Sequence, residues 1–420
     1  MSTIFEPGRS LEVRYGCDVA VCGGGFGGVA AAVAAARSGK KVILLEKQFM
    51  LGGLGTAGIV TIYLPICDGR GRQVSFGLAE ELLRVSIEHG CEKEYPSEWF
   101  DELPDDASDD EKEARLRARI NHRYRLRYSA PLCAISLEGL LLREGVTILY
   151  GSAVCGVHEE GGRITHIMVE GKGERFAISA GAVVDATGDA DVCGFSSAPV
   201  EYFKQGNVLA GWYYLLADGK VDLRMVGGAA DVPAGFKPAS GGSSSSSNPR
   251  LPNLPEGRFL GLDTGELSDV TIRSHAATLA HFLAGGKLSD THALTMMTST
   301  PQVRMTRRIA GEYTLDIAEE HKYFEDSVGL FPNWRKAGPV YELPFGTLWS
   351  RRVGNLLTAG RCISVTDPMW DISRVIPVCS VTGEAAGCAA AMVCDGGHLA
   401  EADVSALQSE LVSRGVLLHE

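Results

Sequence analysis

Three features of the sequence predict an α/β fold in which a parallel sheet is continued by an antiparallel β-meander. Residues 18–22 (DVAVC) form a short apolar run closed by glycines, as a buried parallel strand requires. Residues 26–38 are rich in alanine, carry small residues on every face and stop at Gly39, the pattern of a helix closed by a glycine. Residues 41–46 (KVILLE) form a second apolar strand. Strand, glycine turn, helix and strand within about 30 residues make one βαβ unit.

The later elements extend this plan. Residues 75–89 have helical spacing (Leu78, Leu82, Leu83, Val85, Ile87) and end at Gly90, and residues 131–143 read as another helix leading into a strand at 147–150. Between 154 and 178, short alternating segments are punctuated by Gly161, Gly162 and Gly171, which predicts the meander; residues 181–186 return as an apolar strand. From about 196 to 348 the texture changes. Residues 234–257 are rich in Gly, Ser and Pro and read as a mobile loop or linker, with an active-site lid or an artificial splice as the alternatives. Residues 268–284 are a helix candidate, 355–359 a buried-type strand and 382–393 an alanine-rich helix. The expected layout is a discontinuous nucleotide-binding domain (1–195 and 349–420, with room for a helical insertion at 60–130) around an α+β cap or substrate domain at 196–348.

Composition narrows the functions. The 420 residues are 45% apolar and 22% charged, an ordinary globular mixture. A formal charge of −12 disfavours nucleic acid, whose phosphates need a basic face. The arginines at 115, 117, 119, 123, 125 and 127 follow an acidic run at 105–113 and read as a mutually screened, solvated face. Eleven cysteines without a close CxxC pair predict free thiols in a reducing compartment and neither disulfides nor a metal site. The first fifteen residues lack an apolar signal core, so a cytoplasmic location is expected. Residues 19–36 are uncharged over nearly a membrane-spanning length, but the glycines at 23–28 would break such a helix, and no span is expected.

The strongest chemical signal is Gly23-x-Gly25-x-x-Gly28, followed by Ala32, Ala36 and, at the end of the next strand, Glu46. Gly23 allows the tight turn, Gly25 lets backbone approach a pyrophosphate, and Gly28 lets helix and sheet pack closely. The helix tip offers amides and a partial positive charge to the phosphates. Glu46 is placed to accept ribose hydroxyls, and its charge would repel the 2′-phosphate of NADP. This is a Rossmann-like dinucleotide site. NAD and FAD both use it.

Other motifs bear on that choice. Residues 50–57 (MLGGLGTA), 184–189 (VDATGD) and 355–364 (NLLTAGRCIS), with Arg374 and residues 382–387 (TGEAAG), resemble the FAD-dependent oxidoreductases of the glutathione-reductase-like superfamily. Within it the chain looks most like the subgroup related to fumarate-reductase flavoproteins and thiazole-biosynthesis proteins. The resemblance covers roughly 17–60, 130–190 and 300–395. It implies that FAD is the cofactor, that Gly52, Gly53 and Thr56 line the flavin or its pyrophosphate, and that Val154, Ala186, Thr187 and Gly188 meet the adenine side. It further implies that Gly360 and Arg361 meet the ribityl–pyrophosphate region, and that Thr382 and Gly383 open a helix aimed at the flavin's pyrimidine edge. A small-residue packing helix is the alternative for 382–387. Phe26 and Lys47 complete the expected cofactor set.

Catalytic candidates are fewer. The family usually has an arginine-rich element near 301–311, where this chain keeps Arg304, Arg307 and Arg308. Arg304 is expected either to clamp an anionic substrate or to bridge to Glu312, Asp316 or another carboxylate. Asp371 and Arg374 should lie near the flavin face, with Arg374 a substrate or flavin contact or, alternatively, the ion-pair partner of Asp371. The expected reaction is hydride transfer between a small organic substrate, carrying an anionic group if an arginine clamps it, and flavin N5, followed by reoxidation by an unidentified acceptor. Three rivals stand beside it: an NAD-dependent dehydrogenase, a non-catalytic flavin-binding module, and a thiazole-synthase-like role. The last needs a reactive cysteine or histidine in the central loop, and no cysteine lies between Cys193 and Cys362.

Overall fold

The computed structural model describes residues 3–5, 8–93, 106–114, 126–228, 231, 254 and 257–420. The 234–257 loop, apart from Leu254 and Gly257, and the arginines from 115 to 125 lie outside the described residues. The seven strands of the main sheet are β1 (Val13–Cys22), β2 (Val42–Glu46), β3 (Thr147–Tyr150), β4 (Ala153–Glu160), β5 (Arg163–Glu170), β6 (Arg175–Asp185) and β7 (Leu356–Thr358). Their order is β3-β2-β1-β6-β5-β4. β1, β2, β3 and β6 run parallel; β4, β5 and β6 follow one another antiparallel as the expected meander.

β6 has two sets of neighbours along its length. Its first half pairs with β5, and Val183–Asp185 takes β7 in parallel from far along the chain. The main sheet is therefore assembled from two separated stretches of the chain.

Alternation in β1 sends Val19 and Val21 to one core and Ala20 and Cys22 to the other. The first core lies under two helices, α1 (Phe26–Arg37) and the long helix Ile376–Val393; the second is closed by the meander. The two helices touch backbone to backbone. A Cβ on Gly383 would fall 2.2 Å from the Gly27 carbonyl oxygen, and one on Gly387 2.3 Å from that of Ala31. By length and composition Ile376–Val393 could cross a membrane, but 89% of it is buried inside the protein. The uncharged stretch 19–36 divides between β1 and α1.

The middle of the chain supplies a three-stranded antiparallel sheet (Ala210–Ala217, Lys220–Gly227, His292–Met297). Helix α2 (Thr264–Ala284) packs on it through Phe282, which clusters with Tyr213 and Leu215, and Ser274, whose hydroxyl donates to the Ala210 carbonyl at 3.3 Å. Tyr214 joins this sheet to the nucleotide-binding part, its hydroxyl lying 2.8 Å from that of Thr61 and donating to Glu92 at 2.9 Å. Arg127, the one described member of the basic run, bonds to Asp222 and faces Glu92.

Candidate functional site

The three glycines of the fingerprint do three different things. Gly23 leaves β1 at φ +108°, and a Cβ there would lie 2.4 Å from the Ala186 carbonyl oxygen. A Cβ on Gly28 would fall 1.8 Å from the Gly23 oxygen, so only glycine lets α1 sit this close to the turn. Gly25, the N-cap of α1, has ordinary extended angles (φ −69°, ψ 175°), and a Cβ there would meet nothing within 4 Å. Its bare face opens onto free space at a helix tip, where the first amides have no partner within the helix. An anionic diphosphate fits there.

The second wall comes from residues 52–56. Gly52 (φ +96°) donates its N–H to Gly24 at 2.8 Å, and Gly53 (φ +56°) follows. Thr56 is fully buried and its hydroxyl is spent on the Leu51 carbonyl, so it shapes the loop. Tyr128 donates to Gly55 at 2.9 Å. Phe26 is buried against Tyr63 and Tyr128 at 5.9 and 6.2 Å.

Glu46 is buried at the end of β2. Its two oxygens accept the N–H groups of Gly24 and Gln48, each at 2.8 Å. The carboxylate thus ties β2 to the glycine turn, a role beyond the expected ribose contact. Lys47 is exposed beside it, and Val154 is half-buried on β4, the last strand of the sheet order. Ala186 donates its N–H to Cys22 at 2.8 Å, and Thr187 donates its hydroxyl to the buried Asp185 at 2.7 Å. Burial raises the Asp185 carboxyl, against the pull of its bonds from Cys193 and Thr187. Burial and the neighbouring Asp189 and Asp185 lift Asp191 to about 6, opposed by Lys47 and Arg307.

Gly188 (φ +81°) makes room for Arg361, whose guanidinium would lie 2.4 Å from a Cβ there. Arg361 donates to the Arg304 carbonyl at 2.7 Å and meets Asp189 at 3.2 Å. Gly360 (φ +76°) packs on Gly27.

Thr382 and Gly383 do not open a helix. The helix starts at Ile376, after an extended Val375 and with Pro377 in its first turn, so both residues lie in its interior. Thr382 is a clamp. Its hydroxyl accepts the Gly360 N–H and donates to the Cys379 carbonyl, both at 2.8 Å. Gly383 serves the contact with α1, as the packing alternative has it. The helix end that abuts Gly27 and Gly360 carries Val375 to Cys379, and the Cys379 thiol bonds the Arg374 carbonyl at 3.3 Å.

The catalytic candidates gather at that end, engaged in ion pairs. Arg304 is bidentate on Asp231 (2.5 and 2.8 Å), a carboxylate with no exposed surface, and not on Glu312 or Asp316. Asp371 receives Arg374 at 2.7 Å and Arg335 on its other oxygen. Burial raises its carboxyl, but Arg374 and Arg335 outweigh this and hold it below its usual value. Burial lowers the Arg374 guanidinium, with Arg304 adding to the effect and Asp371 opposing it. The Arg374 side chain keeps 12% of its surface exposed, and its Nε has no hydrogen-bond partner among the described residues. Asp231, Arg335 and Cys379 were not singled out by sequence. Asp231 follows a glycine–alanine run with no periodicity, whereas Gly27 stood within the fingerprint itself. Among the described residues no cluster could hold a metal ion. Two clefts on the meander, one lined by His158, His166 and Arg175, lie away from the glycine turn.

A curated thioredoxin reductase of Ureaplasma parvum is 37% identical over 70 residues, which covers 17% of this chain and 23% of that one. Among solved structures, a geranylgeranyl bacteriochlorophyll reductase-like protein of Thermoplasma acidophilum is similar at 12% identity and a TM-score of 0.43, over 96% of this chain and 93% of that one. THI4 of Thermovibrio ammonificans is similar at 18% identity and a TM-score of 0.31, over 46% and 67%. The pattern of the family described as FAD dependent oxidoreductase matches residues 18–210 and 256–411, most of the sequence. That match decides between the two dinucleotides the glycine turn would accept: the chain belongs to the FAD dependent oxidoreductase family, and its cofactor is FAD.

Proposed function

We propose that the protein transfers a hydride between a small organic substrate bearing an anionic group and flavin N5, a second acceptor then restoring the flavin. The observation that carries this reading is the charge balance at the start of helix Ile376–Val393. There three guanidiniums, Arg304, Arg335 and Arg374, share two carboxylates, Asp231 and Asp371, and the Arg374 Nε is left over. A buried donor without an acceptor is costly, and a carboxylate or similar anion would satisfy it. The helix start adds a partial positive charge in the same place.

When bound, FAD supplies two-electron chemistry at N5. The chain's own residues do the rest. Arg374 orients the anionic group, Asp371 fixes the Arg374 fork through its 2.7 Å bond, and the neutral Arg304–Asp231 pair holds the neighbouring wall in place. The Thr382 clamp holds Gly360 and the first turn of the helix in register.

The test is an anaerobic screen of carboxylate- and phosphate-bearing reductants on the FAD-loaded protein, followed by loss of visible flavin absorbance. Arg374→Met should keep its FAD and lose roughly 30- to 150-fold in kcat/KM, the value of about 2–3 kcal/mol for a hydrogen bond to a charged group. Equal activity of wild type and Arg374→Met on an anionic substrate refutes the assignment. Bound FAD that neither substrates nor a dithionite-linked acceptor can cycle would make the chain a non-catalytic flavin binder.

A further inference from the structure

We propose that Trp212 is the platform for the body of the substrate, which is therefore a planar aromatic acid whose ring lies against the indole. This deepens the function proposed above and rests on its placing of an anionic group at Arg374. Alternation along Ala210–Ala217 divides the strand between two faces. Tyr213 and Leu215 cluster with Phe282 of α2, and Val226 and Leu294 of the flanking strands join them. Trp212 and Tyr214 therefore point away from α2. Tyr214 shows where that face leads, because its hydroxyl meets Thr61, just beyond the wall formed by residues 52–56.

The position of Trp212 on this face is bracketed on both sides. Two residues before it, Ala210 pairs with Gly227, and the Arg304 guanidinium donates to the carbonyl of the next residue, Gly228, at 3.1 Å. Arg304 in turn acts electrostatically on Arg374. Two residues after Trp212 comes Tyr214 with its bond to Thr61. At about 3.4 Å per residue, Trp212 stands roughly 7 Å along the strand from either mark. It thus lies between the guanidiniums and the loop that follows the glycine wall.

The chemistry of the face selects the ligand. Opposed residues of an antiparallel pair share a face, so the register sets Ala210, Trp212, Tyr214 and Leu216 beside Met225 and Leu223. None of these carries a charge, which disfavours a substrate with a second ionised group. Tyr214 is buried and engaged by Thr61 and Glu92. Trp212 is half-buried, and its cross-strand partner Met225 keeps 37% of its surface exposed. A flat ring gains more from an indole than a saturated chain of equal size, through stacked or edge-on contact beyond buried area. The thioether beside it favours an aromatic ring again.

The test uses the full-length, FAD-loaded protein and two probes of equal charge, benzoate and cyclohexanecarboxylate, titrated by calorimetry. The wild type should bind benzoate roughly fivefold more tightly, the size of an aromatic contact beyond its buried area. Trp212→Leu should abolish that preference by weakening benzoate alone, and Trp212→Phe should retain it. Both should keep the flavin content and thermal midpoint of the wild type. Arg374→Met should weaken both probes. Equal binding of the two probes by the wild type, or a preference that survives in Trp212→Leu, overturns the platform and leaves the Arg374 assignment standing. A wild type that binds neither probe, or an Arg374→Met chain that binds both as the wild type does, refutes the anion reading and this proposal with it.

Discussion

Replacing Gly25 with valine should strip the protein of flavin and leave its fold intact, while replacing Gly28 with alanine should damage the fold itself. The two glycines are three residues apart and belong to one motif, yet the space around them differs. A Cβ on Gly25 meets no atom within 4 Å, and the backbone there is extended, so valine is tolerated and stability should change by under about 1 kcal/mol. That side chain would occupy the space a diphosphate needs. Losing two amide bonds to a charged group, at about 1.5–3 kcal/mol each, weakens FAD binding by roughly two to four orders of magnitude. At Gly28 the added methyl lies 1.8 Å from the Gly23 oxygen, so α1 must lift off the strand by more than an ångström. Overpacking of that kind costs about 1–3 kcal/mol or more. Flavin rebinding to apoprotein by fluorescence titration, with thermal midpoints of the apo forms, separates the two effects. If Gly25→Val binds FAD within threefold of wild type, or its apo midpoint falls as far as that of Gly28→Ala, the assignment of roles is wrong.

Two further outcomes follow from buried charge. Burial lifts the Glu384 carboxyl to about 7 from an ordinary value of 4.5, while its bond from the Leu78 N–H (2.7 Å) and the nearby Arg414 and Arg37 pull it down and Glu81 pushes it up. The folded value lies above the unfolded one, so this group favours folding at low pH, and its contribution is lost as pH rises from about 4.5 to 7. The loss is about 3 kcal/mol. Glu384→Gln should therefore exceed wild type in urea resistance at pH 8 and match it near pH 4.5, and parallel pH profiles would refute this. Arg304→Ala should lower stability by about 3–5 kcal/mol by stranding the Asp231 charge in the interior, with partial recovery in the double variant with Asp231→Asn, as a double-mutant cycle in urea would show. An Arg304→Ala chain as stable as wild type contradicts the buried pair.

Legibility followed the range of the interactions. Gly23 and Gly28 lie at the two ends of one turn, and their roles in the turn and in close packing were visible from spacing, because a βαβ turn leaves little freedom in where each must stand. The meander and the discontinuous sheet were readable for the same reason. The start of helix Ile376–Val393 was not. Thr382-Gly383 has the look of a capping pair, while the true first turn, Ile376 to Val378, contains β-branched residues and proline and reads as extended chain. The start of α2 was missed too, although the Asp263 side chain accepts the Glu266 N–H at 2.9 Å in the manner of a cap. The Arg304–Asp231 pair joins residues 73 apart in sequence, with no period to link them. Glu46 shows a subtler limit: its acidity was legible, but not its two backbone amides.

The divided strand β6 has a consequence for synthesis and truncation. The place Val183–Asp185 holds for β7 stays vacant until residues 356–358 have emerged, after the whole middle region has been made. Until then a hydrogen-bonding rim of the nascent sheet is open to solvent and to other nascent chains. A fragment ending before Leu356 carries the complete glycine motif and still lacks a wall of its own core, so it should accumulate as aggregate and not as a small flavin-binding domain.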